Sequence, residues 1–185
     1  MTIWTNKSEN PPLWATFRDV RLYVFVAVFV GLGMLTPWIF HRIHLAGPTF
    51  LPMHFFVLIG GLLFGWRVGV LAGLLTPAVS FVVSGMPVPL LLPQITSELT
   101  MYGLVSGLLR ERTGIGTVGA LLSAMVAGRL ALGMAVLVAD GGAGDPISHV
   151  WGVVALGYPG MIMQLLLIPP VVHLLGRRLG PRASS

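Results

Sequence analysis

The chain has 185 residues, of which 55% are hydrophobic and only 9% charged, with a formal net charge of +5 and no cysteine. A soluble domain of this composition would lack the polar residues to cover its surface, so the chain reads as an integral membrane protein. The absent cysteine excludes disulfides, thiolate metal sites and a cysteine nucleophile. The basic residues stand singly or in pairs at the ends of apolar runs, which makes them topology anchors and argues against a nucleic-acid partner.

Residues 1–21 are polar and proline-broken, with Trp4, Trp14 and Phe17 beside Arg18 and Arg21. They read as a cytoplasmic or interfacial tail, equally as a disordered one, and no removable signal peptide is expected there. A first span covers 22–40, with Ala27 and Gly31 as a pair of small residues four apart. The stretch 41–54 holds His41, His44 and His54 and is expected to be an outside loop or re-entrant segment. Spans two and three, about 51–66 and 68–84, carry Gly61 and Gly65, then Gly69 and Gly73, with Arg67 closing the second span. GMPVP at 85–89 predicts a tight outside turn. Span four, 90–112, carries Glu98 in its middle and Gly103 and Gly107 beyond it, and stops on Arg110, Glu111 and Arg112. Span five follows Thr113 and ends near Asp140, with a small stripe of Gly119, Ser123 and Ala127, and with Arg129 inside it. Span six covers about 147–175, where Pro159, Pro169 and Pro170 predict a bent or broken helix.

The expected fold is an all-α bundle of six transmembrane helices over residues 22–176, followed by a basic cytoplasmic tail at 177–185. Lys7, Arg18, Arg21, Arg67, Arg110, Arg112, Arg177, Arg178 and Arg182 fall on one side, against Arg42 alone on the other. By the positive-inside rule both termini are cytoplasmic.

An ionisable group within a bilayer is costly and by default faces a bundle interior with a partner. Gln94, Glu98 and Tyr102 recur every fourth residue and share one helix face. Counted at about 1.5 Å per residue from each cytoplasmic marker, Thr36, His54, Ser80, Glu98, Arg129 and Gln164 all fall about 18–22 Å deep. A pocket in the outer half of the membrane, lined by Glu98, Arg129, His54, Gln94, Tyr102 and Gln164, would suit a small polar molecule. The plainer alternatives are a structural Glu98–Arg129 pair, an interfacial His54, helix-to-helix bonds from Gln164, Thr36 and Ser80, and an interfacial Trp151 and Tyr158. Ser106 lies near the cytoplasmic end, far in depth from His54, which argues against serine catalysis. A metal reading from His41, His44, Met53, His54, Met86 and His149 lacks any pair spaced to share a helical face, and no metal or cofactor is assigned.

The run FLPMHFFVLIGGLLFGWRVGVLAGLLTPAVSFVVSGMP, followed by PQITSELTMYGLVSGLLRER, resembles the membrane-embedded substrate-binding subunits (S components) of energy-coupling factor (ECF) transporters for vitamins and their precursors. The resemblance covers about residues 20–178. It implies a six-helix fold binding one substrate near the outer side, under the loops at 41–53 and 85–89. It also implies a membrane coupling (T) protein and two cytoplasmic ATPases as partners, in the inner membrane of a prokaryote. Docking on an AxxxA pattern would map to Ala27 and Gly31, where glycine departs from the pattern but stays small. The chain carries no Walker motif, so energy would come from the partner ATPases. The expected function is therefore capture of a small vitamin or precursor outside for delivery inward, without catalysis by this chain. A scaffolding membrane protein and a transition-metal uptake subunit are the alternatives.

Overall fold

The computed structural model describes residues 16–42, 52–139 and 145–179, and among them the fold is all-helical. The helices are α1 (Val20–Arg42), α2 (Pro52–Phe64), α3 (Trp66–Ser84), α4 (Leu92–Arg112), α5 (Thr117–Ala139) and α6 (Pro146–Leu179). The side chain of Thr36, most of the 41–53 loop with His44, most of the N-terminal tail and the tail's end with Arg182 lie outside the described residues.

Helix boundaries follow local chemistry. Gly65 alone separates α2 from α3, at φ 90°, a conformation open to glycine but strained for other residues. Trp66 and Arg67 therefore open α3, which corrects the expectation that Arg67 closes the preceding span. The α3 helix ends on Gly85 in the left-handed region, whose N–H donates to the Phe81 carbonyl at 2.8 Å. The turn expected at 85–89 extends to Leu91, and Pro93 then sits in the first turn of α4, where its missing N–H costs nothing. At the other end of α4 the Thr113 hydroxyl donates to the Leu109 carbonyl at 2.6 Å. Of the two alternatives expected for the last span, bent or broken, the break is corrected: α6 is one helix of 34 residues running through Pro159, Pro169 and Pro170. Ahead of α1, the Thr16 amide and hydroxyl donate to the Asp19 carboxylate at 3.2 and 2.8 Å and hold its carboxyl below the ordinary value.

The fourth helix is the hub, packed on α3, α5 and α2, while α1 covers α2 and α3, and α6 lies on α5 and α2. Glycines let α3 and α4 meet at backbone distance. A Cβ at Gly69 would strike the Gly103 backbone, and the converse holds at Gly103. Gly73 abuts the Leu99 carbonyl, and Gly107 the Trp66 backbone. Such close approach gains van der Waals contact where lipid offers no hydrophobic drive between helices. The α1–α2 contact is aromatic instead, with Phe25 stacked on Phe64 at 3.9 Å between centroids.

The outer surface is apolar, with Val24, Val126, Val138 and Leu166 among the exposed residues, as suits contact with hydrocarbon. By length and composition α3, α5 and α6 are long and apolar enough to cross a membrane. The described parts of α1 and α2 are shorter apolar helices, and α4 is set apart by its charges.

Candidate substrate-binding site

The one polar face of α4 points into the bundle. Gln94, Glu98 and Tyr102 are all buried, Glu98 to 2% exposure, as their four-residue spacing requires once one of them faces inward. Around Glu98 three other helices contribute one side chain each. From α5, Arg129 places Nη1 2.7 Å from Glu98 Oε1. From the first turn of α2, His54 places Nε2 3.6 Å from the same oxygen, an ion-pair distance too long for a hydrogen bond. From α6, Met161 offers its thioether sulfur to Arg129 Nη2 at 3.7 Å. The Tyr102 ring meets the His54 ring edge-on, 5.2 Å between centroids. It also lies on Gly128, where a Cβ would collide with the ring, so the residue before Arg129 must be small for the cluster to close.

The cluster is charged but incompletely paired. Arg129 Nε and His54 Nδ1 are buried and have no hydrogen-bond partner among the described residues, and the Arg129–Glu98 contact, though short, is not aligned as a hydrogen bond. A buried donor or acceptor left unmade costs about 1–3 kcal/mol, more when charged. Such groups around one ion pair call for an explanation, because buried polar atoms are ordinarily partnered. Chemically, the arrangement offers a guanidinium, an imidazole and a phenol, held around a carboxylate that is already engaged.

Of the residues singled out in the sequence, Glu98, Arg129, His54 and Tyr102 come together directly. Gln94 lies one turn along the same face, and Gln164 is buried on α6 one turn beyond Met161. Ser80 is buried on α3, whereas Trp151 and Tyr158 are exposed on the outer side of α6. Met161 was missed, because a methionine in an apolar helix carries no signal apart from its three-residue spacing to Gln164. Among the described residues, no three of His, Cys, Asp and Glu are arranged to hold a metal ion.

On α1, Ala27 is exposed and Gly31 half-buried, with nothing within 4 Å of a Cβ built at Gly31. Both sit on the helix face that also exposes Tyr23, Val24, Val28 and Leu35, away from α2 and α3.

The family model for the substrate-specific component of ECF transporters matches residues 21–172, from the start of α1 deep into α6 and across the whole polar cluster. The chain belongs to this family. As an S component it is a transport-specificity subunit, and the family role implies association with a T protein and ATPases and a small-molecule substrate. Family and apolar helices together make the S component a multi-pass membrane protein. No curated protein and no solved structure gives a significant match.

Proposed function

We propose that this S component captures a small vitamin or cofactor precursor at the outer face of a prokaryotic inner membrane and delivers it inward as part of an ABC-type importer, using two partner ATPases. In this reading the six helices all span the bilayer, both termini are cytoplasmic, and the substrate contacts are Glu98, Arg129, His54, Gln94, Tyr102 and Gln164. The exposed Ala27 and half-buried Gly31 would receive the T protein, since small residues permit close helix approach.

The observation that carries this is the surplus of buried polar groups around Glu98. A structural pin between α4 and α5 needs only the ion pair. The unpartnered Arg129 Nε and His54 Nδ1 add a penalty that a pin would avoid and a ligand would relieve. The same cluster disfavours a metal cargo, because a guanidinium 2.7 Å from the carboxylate repels a second cation there.

The test is mass spectrometry of small molecules released from the detergent-purified protein, compared with Glu98→Ala and Arg129→Ala. A stoichiometric vitamin-like compound, absent from the folded variants, is expected. A protein that stays empty after soaking with a panel of vitamins would overturn the reading in favour of a scaffold.

A further inference from the structure

Resting on the substrate-binding reading above, we propose that the substrate carries a single carboxylate that docks side-on to Arg129, across its Nε and Nη2. The guanidinium has two usable edges, and the protein has filled only part of one. Nη1 faces Glu98 at 2.7 Å. Among the described residues Nε has no hydrogen-bond partner, and Nη2 has only the Met161 sulfur at 3.7 Å. Nε and Nη2 lie on the same edge and present two parallel N–H groups, the fork that matches the two oxygens of a carboxylate. A thioether is a weak acceptor and a poor long-term occupant of that fork. Methionine is also unbranched, with three rotatable bonds, so Met161 can swing aside without disturbing the backbone of α6. Arg129 is itself only 8% exposed, so the fork is held away from water, which would otherwise satisfy it.

Charge decides between a carboxylate and a phosphate. Glu98 and Arg129 cancel, and His54 is the other titratable cation facing them, from α2; Tyr102 from α4 is neutral. These residues thus carry at most one net positive charge. They can balance one added negative charge, whereas a phosphate monoester brings about 1.5 to 2.

The experiment uses matched pairs that differ only at the acid group: nicotinate with nicotinamide, pantothenate with panthenol, and biotin with biotin methyl ester. Binding to the full-length protein is measured by calorimetry, alongside mass spectrometry of any co-purified ligand. The expected result is that the bound compound is a carboxylate and that its neutral analogue binds about 100-fold more weakly or worse, since the buried fork is then left unmade. In Arg129→Lys, which keeps the charge but loses the fork, the acid is expected to lose a similar factor while the preference over its analogue shrinks. A bound vitamin without a carboxylate, or an acid and analogue of equal affinity, overturns this inference and leaves the transport reading standing. A protein that retains no ligand and binds no compound of the panel overturns both. The analogue comparison is made on the unaltered protein, so it holds even if Arg129→Lys fails to fold.

Discussion

The fourth helix carries two glutamates, and each meets an arginine from a neighbouring helix, with opposite consequences. At Glu98 the pair with Arg129 has side chains 3% and 9% exposed and a contact of 2.7 Å. At Glu111, near the end of the same helix, the pair with Arg67 is 16% and 25% exposed and 3.2 Å apart. The shallower arginine is otherwise well served, with its guanidinium 4.8 Å from the Trp66 ring and 5.8 Å from Phe17. The more buried one lacks a hydrogen-bond partner for Nε among the described residues. Water and aromatic faces can complete a pair at the helix end, whereas a pair within the bundle must find every partner in the protein or in a ligand. The same two residue types are thus a clasp in one place and, in the reading proposed above, a substrate site in the other.

The comparison breaks first at the buried pair. Glu98→Leu alone is expected to lower stability by about 3–5 kcal/mol, because it strands a buried guanidinium. The double variant Glu98→Leu with Arg129→Met should recover much of that stability yet bind no substrate. Thermal unfolding in detergent together with ligand retention reads both effects, and a double variant that still binds would end the site assignment.

Next in size is the contact that seats α4 at this depth. Gly103→Val would drive a side chain into the Gly69 backbone and is expected to cost about 1–3 kcal/mol or prevent folding. Gly31→Val, where nothing stands within 4 Å, should leave the isolated subunit's unfolding temperature unchanged while weakening co-purification of the T protein. A large drop in stability there would show that the α1 face is packed rather than free for docking.

At the clasp, Arg67→Ala should cost no more than about 1 kcal/mol from the ion pair, with about as much again from the aromatic contact. The ionic part should fade with added salt, unlike the effect of Glu98 substitutions, and equal salt sensitivity at both pairs would erase the contrast. The smallest effect is at Asp19. Its carboxyl is held below the ordinary value by Thr16, so the small stabilisation is present above the unfolded-state pKa and is lost as pH falls through the lower folded value. Asp19→Asn should remove that acid-side dependence and change little at neutral pH, as followed by circular dichroism of α1.

Much of the site was legible because it breaks a rule. In a chain this apolar, Glu98 and Arg129 stand out, and the four-residue spacing of Gln94, Glu98 and Tyr102 assigns them one face before any coordinates exist. What spacing cannot supply is rotation of one helix against another. The partnership of His54 with Glu98, the thioether of Met161 on Arg129 and the seat of Tyr102 on Gly128 all depend on it. The Gly65 boundary was missed for a related reason: a glycine four residues from Gly61 reads as a packing motif until its positive φ reveals a turn. Of the bend or break expected in α6, the break is absent, because tertiary context can keep a proline-bearing helix continuous despite lost hydrogen bonds.

Sequence alone determined that this protein is an apolar helical bundle, which helices are glycine-faced, and that one helix carries a carboxylate where a membrane discourages it. These are properties of composition and period, which belong to each segment separately. Only the tertiary structure decided that Glu98 is already ion-paired while Arg129 Nε has no hydrogen-bond partner among the described residues. That distinction is geometric, set by which side chains from α2, α5 and α6 reach the same few ångströms, and no single helix contains it.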